Sequence, residues 1–162
     1  MSDTPKPTKA NRAPTSMQRA TTIEAGGSKD AIGANVSVTI DGVKSKVPLG
    51  TTILEACREM GVHIPTLCHH ADLCIAGVCR VCVVEVEGMR TLQATCAFPI
   101  TAPISVRTHT SQVRRARRHI IDLMLKYHYG ECYACGRNNN CELQALAKEY
   151  GVDFFRFGHP DK

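Results

Sequence analysis

Nine cysteines fall in a pattern that constrains this chain more than any of its hydrophobic runs. Four of them, Cys68, Cys79, Cys82 and Cys96, follow C-x10-C-x2-C-x13-C, with the middle pair inside "AGVCRVC". Three more, Cys132, Cys135 and Cys141, crowd into "HYGECYACGRNNNC", one short of the four ligands that an iron-sulfur cube wants. Thiolates two residues apart in a turn reach one metal centre together, and more distant ones complete its ligand set. No apolar signal segment, membrane-length apolar run or C-terminal anchor pattern accompanies them, which argues against a secreted disulfide scaffold. In the reducing cytoplasm, where we expect this chain, clustered cysteines more often hold metal.

Spacing alone leaves two matters open. A four-cysteine zinc site also uses C-x2-C pairs, so zinc and a [2Fe-2S] cluster fit the first set about equally. Cys74, Cys79 and Cys82 by themselves spell C-x4-C-x2-C, the plant ferredoxin run, so Cys74 rivals Cys68. Gly77 is useful to a cluster in either case, because a missing side chain lets backbone N–H groups approach the bridging sulfides.

The remaining sequence sets these cysteines on short elements. Residues 1–34 are rich in Thr, Ser, Pro, Gly and Ala with no apolar period, and are expected to form a disordered tail rather than a transit peptide. Val36, Val38 and Ile40 alternate with polar neighbours, Asp41-Gly42 signals a hairpin, and Val43 to Val47 resumes the strand. Thr52 stands three residues before Glu55 as a capping box, opening a short helix through Ile53, Leu54, Cys57 and Met60 that stops at Gly61. "CVVEVEGMRTLQATC" reads as two strands about a Glu87-Gly88 turn, and "ISVRT" as one more. These elements predict an α+β domain over 35–109. The stretch 110–162 reads as helical: one helix from Ser111 with Val113, Ala116, Ile120, Leu123, Met124 and Tyr127 on its apolar face and Arg114, Arg115, Arg117 and Arg118 largely elsewhere, then a second from Cys141 to Gly151.

The run "IPTLCHHADLCIAGVCRVCVVEVEG", the later "ATCAFPI" and the downstream "RRARRHIIDLMLKYHYGECYACGRNNNCELQALAKEYG" resemble the N-terminal region of iron-only hydrogenases and of the large iron-sulfur subunit of NADH dehydrogenase. Related modules occur in NAD-linked formate dehydrogenases and soluble NAD-reducing hydrogenases. The resemblance implies a β-grasp (ubiquitin-like) ferredoxin domain holding a [2Fe-2S] cluster on Cys68, Cys79, Cys82 and Cys96, with Cys74 a bystander. It implies a following small helical domain holding a [4Fe-4S] cluster by H-x3-C-x2-C-x5-C, matched here by His128, Cys132, Cys135 and Cys141. His109 and His119 keep the ordinary reading of solvated histidines.

The formal charge is +5 with every cysteine counted as neutral. Two such clusters with their thiolates bring it to about +2, so the basic excess does not require nucleic acid. The "RRARR" stretch lacks interleaved aromatics, and a solvated helix face is its default reading. No dinucleotide fingerprint, flavin domain or further cysteine for a hydrogen-activating cluster is visible. The expectation is an electron-transfer subunit, without catalytic activity alone, in a hetero-oligomer with a flavin- and NAD(P)-binding subunit and a further iron-sulfur or catalytic subunit. A zinc-bound structural or redox-sensing module, with nucleic-acid binding through the arginines as an option, is the competing expectation.

Overall fold

The first two strands are built by a period of two. In a computed structural model, which describes residues 34–128 and 132–153, strand β1 (Asn35–Ile40) buries Val36, Val38 and Ile40 and leaves Asn35 and Ser37 exposed. It turns at Asp41-Gly42, both with positive φ (49° and 89°), into antiparallel β2 (Val43–Pro48). Two left-handed residues in a two-residue loop match the twist of the strands they join, which is why Asp-Gly serves here. The Asp41 carboxylate also accepts from the backbone N–H and hydroxyl of Thr108, closing the hairpin onto the far end of the domain.

Helix α1 (Ile53–Glu59) opens with the expected capping box. Thr52 accepts from the Glu55 N–H at 3.2 Å, and the Glu55 carboxylate accepts from the Thr52 N–H at 2.9 Å. The helix ends at Met60, and Gly61 follows in the left-handed region, as expected from the sequence. Strand β3 (Val83–Val86), a two-residue β4 (Gln93–Ala94), the 3-10 turn Thr95–Ala97 and β5 (Ile104–Arg107) complete the sheet. The strand order is β2-β1-β5-β3-β4, with β1 and β5 parallel and every other pair antiparallel. This mixed five-stranded sheet with a helix packed on one face is the α+β, β-grasp arrangement. The hairpin expected about Glu87-Gly88 differs in detail: residues 87–92 form a longer connection, and β4 gives way after two residues to the turn that carries Cys96.

Helix α2 (Ser111–Tyr127) is capped by Thr110, whose hydroxyl accepts from the Val113 N–H, and α3 (Glu142–Glu149) starts at Cys141 and ends before Gly151. The fully buried face of α2 keeps Val113, with the expected Ala116, Ile120 and Met124 only partly buried, and is otherwise shifted. It is Val113, Arg117, Ile121 and Leu125, while Leu123 is 57% and Tyr127 79% exposed. Residues four apart stack on one face of a helix, so these four are a single line. The line escapes a reading by hydrophobic residues because one member is an arginine.

Two hydrophobic cores result. The larger joins the sheet to α1 through Val38, Ile40, Val47, Ile53, Leu54, Cys57, Val84, Val86 and Val106. The smaller joins Ile121 and Leu125 of α2 to Leu146 and Ala147 of α3, and takes in Val81 with the partly buried Leu67 and Cys79 from the cysteine loop. The described residues thus belong to one compact unit, with the helices packed onto the loop that carries the first cysteine set. The expected tail at 1–34 lies almost wholly outside the described residues, apart from Ala34, whose carbonyl accepts from the Leu49 N–H at 3.0 Å. Among the described residues, no helix is long and apolar enough to cross a membrane.

Candidate iron-sulfur sites

The first cysteine set gathers where the loop 61–82 meets the turn after β4. Cys82 and Cys96 lie with their sulfurs 3.5 Å apart, and the Cys79 N–H donates to the Cys68 sulfur at 3.5 Å. Local chemistry holds both pairs. Thr95, fully buried, donates its hydroxyl to the Cys82 carbonyl at 3.0 Å, so the chain just before Cys96 is fastened to Cys82. Gly77 and Arg80 both take positive φ (62° and 60°), which curls the loop around Cys79. A Cβ on Gly77 would meet the Ala97 Cβ at 3.4 Å and would strain a left-handed backbone. The glycine is therefore fitted to the residue after Cys96, in addition to leaving backbone room.

Cys74 stands apart. It is exposed in a stretch whose neighbours Leu73, Ile75 and Val78 are also exposed. Cys57 is buried in the sheet core, where burial first, then the Asp41 charge, push its thiol up to about 11, with Arg117 acting in the opposite direction.

The charges of the other three act on Cys96. Burial raises the Cys68 thiol, but the backbone N–H donors of Cys79 and Val78, with its own and the Cys79 thiol, outweigh this and draw it down toward thiolate. Cys96 is pushed up to about 12, by burial, by its hydrogen bond with Cys82 and by the charges of Cys82, Cys68 and Cys79. The two shifts run in opposite directions, Cys68 toward thiolate and Cys96 toward thiol. Mutual repulsion among converging thiolates is what cationic iron relieves, since metal binding displaces the thiol protons. A [2Fe-2S] cluster needs two sulfurs for each of two irons; here the Cys82 and Cys96 sulfurs form one close pair, and the Cys68 sulfur sits against the Cys79 backbone. The residues present fit that group.

The second set is laid out differently. His128 caps the C-terminus of α2, exposed, with its N–H donating to the Leu125 carbonyl at 3.1 Å. Residues 129–131 fall outside the described part. Cys132 and Cys135 sit in successive turns, where the Cys135 N–H donates to the Cys132 carbonyl at 3.3 Å and the Arg137 N–H to the Cys135 sulfur at 3.4 Å. Cys141 is the N-cap of α3, where the helix end favours negative charge. Among the described residues, no three His, Cys, Asp or Glu side chains converge as they would on a single ion. A [4Fe-4S] cube takes one ligand at each of four corners and keeps its ligands apart, so ligands drawn from a helix end, two turns and a helix start suit it.

Comparison with known proteins shows which domains carry these residues. Residues 33–111 match the family model of a 2Fe-2S iron-sulfur cluster binding domain, and residues 117–156 that of the NADH-ubiquinone oxidoreductase-G iron-sulfur binding region. The chain carries a [2Fe-2S] and a [4Fe-4S] cluster-binding domain. This two-cluster module is 43% identical over 122 residues to the NADP-reducing hydrogenase subunit HndD of Solidesulfovibrio fructosivorans, covering 72% of this chain and 21% of the relative. It is 40% identical over 122 residues to the NADH-ubiquinone oxidoreductase 75 kDa subunit of Reclinomonas americana, covering 75% and 18%. The crystal structure of an NAD+-reducing [NiFe]-hydrogenase superposes with a TM-score of 0.67 at 34% identity, over 80% of this chain and 55% of that one. The module thus spans about a fifth of the length of these curated relatives.

Sequence reasoning passed over three residues that build the module. Arg117 is fully buried, Thr95 ties the two halves of the first site, and Tyr150 contacts Arg117 from the end of α3. The spacing of Val113, Ile121 and Leu125 marks the position of Arg117 but not its burial, which rests on the distant Val83 carbonyl; the other two carry no local signal.

Proposed function

We propose that the chain relays single electrons within a cytoplasmic hetero-oligomeric oxidoreductase, between a flavin- and NAD(P)-binding subunit and another iron-sulfur or catalytic subunit. When bound, each cluster takes up and gives back one electron at a time. The observation that carries the reading is that two cluster-binding domains, each similar to parts of NAD(P)-linked redox enzymes, lie on one compact unit with a shared helical core. Cys68 and Cys79 would hold one iron of the [2Fe-2S] cluster, and Cys82 and Cys96 the other. His128, Cys132, Cys135 and Cys141 would hold the [4Fe-4S] cluster, with domain limits at 35–109 and 110–162. What this chain contributes is the holding and orientation of both groups: Thr95 and Gly77 shape the first site, and the turns 132–141 space the second.

Anaerobic purification with iron and acid-labile sulfide assays tests the reading, together with EPR of the dithionite-reduced chain. About six iron and six sulfide per chain and two distinct EPR signals are expected, with no NADH oxidation by the chain alone. His128→Ala should leave the [2Fe-2S] signal and yield a labile second cluster that loses its corner iron. Zinc without sulfide would end the relay reading, and an unaltered second signal in His128→Ala would move the fourth ligand elsewhere.

A further inference from the structure

Arg117 is the largest fully buried side chain in the described protein, at 0% exposure, and it stands at the join between helices and cysteine loop. Its Nε and one terminal nitrogen donate to the Val83 carbonyl at 3.2 and 2.9 Å, and the other terminal nitrogen donates to the Tyr150 hydroxyl at 3.1 Å. Val83 is the residue next to Cys82, whose sulfur lies 3.5 Å from that of Cys96. Among the described residues, both hydrogen-bond partners of the guanidinium are neutral, so neither cancels its charge. Burying a cation is costly, and two hydrogen bonds to one carbonyl offset part of that cost without removing the field.

We propose, on the cluster assignment above, that Arg117 is a positioning and tuning residue for the [2Fe-2S] centre: its buried positive charge, held one residue from a cluster-ligating cysteine, favours the more negative, reduced form and raises the reduction potential of that cluster selectively. A charge in the interior acts through a lower effective dielectric than one on the surface and escapes screening by salt. The same helix offers the comparison. Arg114, Arg115 and Arg118 line an open cleft of about 240 Å³ with Tyr150, and all three are exposed. Their fields are dispersed by water. The [4Fe-4S] site is farther from the charge, because Tyr150 and Cys141 stand at opposite ends of α3, about 13 Å apart along a helix rising 1.5 Å per residue.

Redox titration of both EPR signals in the full chain, with Arg117→Gln, Arg117→Lys and Arg115→Gln beside wild type, tests this. Arg117→Gln keeps a donor for the Val83 carbonyl and removes the charge. It should make reduction of the [2Fe-2S] centre about tenfold less favourable, a fall of about 59 mV for one electron, with a much smaller change at the other cluster. Arg117→Lys keeps the charge and loses the fork, and should stay within about twofold of wild type, as should Arg115→Gln. An unchanged [2Fe-2S] potential in Arg117→Gln would overturn the proposal, as would equal falls in the Gln and Lys variants, which would assign the effect to hydrogen bonding. Should the Gln variant not hold its clusters, the Lys variant decides alone: a fall of tenfold or more there sinks the charge argument. Wild-type chain lacking iron and sulfide would remove the cluster assignment itself, a failure distinct from clusters present with potentials unmoved.

Discussion

Cys68 and Cys74 are both plausible first ligands on spacing, and the contacts separate them. Cys68 receives a backbone N–H at its sulfur and lies within the electrostatic reach of Cys96, whereas Cys74 is exposed with exposed apolar neighbours. Cys74→Ser is therefore expected to keep the full [2Fe-2S] absorption and EPR signal, and Cys79→Ser to lose or shift it. Cys57→Ala should also keep the signal. Its buried thiol, raised to about 11, stays protonated at neutral pH and behaves as a small hydrophobe. Loss of the signal in Cys74→Ser, with Cys68→Ser harmless, would reverse the choice.

Among the elements, α1 shows how much of the fold was legible in the sequence. Its cap, span and stop all follow from Thr52, Glu55 and Gly61, because capping and the left-handed stop are set by residues a few positions apart. The buried face of α2 is legible only in part, for the opposite reason. Arg117 has a long apolar stem, and whether its head can be buried depends on a carbonyl 34 residues away in sequence, which no local pattern contains. The two-residue β4 escaped for a similar cause, since the turn after it is shaped by the bond from Thr95 to the Cys82 carbonyl. The capping box carries its own prediction. Thr52→Ala should cost about 1 kcal/mol in urea unfolding at neutral pH. The backbone N–H and hydroxyl of Thr52 hold the Glu55 carboxyl below its ordinary value of 4.5. A depressed folded value means that this contribution is present above 4.5 and is lost as pH falls through the folded value. The stability gap between wild type and Glu55→Gln, measured by circular dichroism, should accordingly narrow on acidification; a gap that widens would refute the sign.

At the scale of the whole molecule, the two cores meet at the cysteine loop, where Cys82 belongs to the sheet core and Val81 to the helical one. Ile121→Ala removes a fully buried side chain from the second core and should cost about 2–5 kcal/mol. The loss should appear in both the helical and the sheet signals of a thermal melt, with one shared midpoint. Two separate midpoints, only one of them shifted, would show that the helices and the sheet unfold independently. The same shared core bears on how such a module can be exchanged between proteins. A chain cut after His109 would keep every cysteine of the first site, yet it would lay bare Val81 and Leu67 and leave the Val83 carbonyl without its guanidinium. The ferredoxin half is thus a poor unit of inheritance by itself, and recombination that carries one cluster site to a new enzyme does best to carry both.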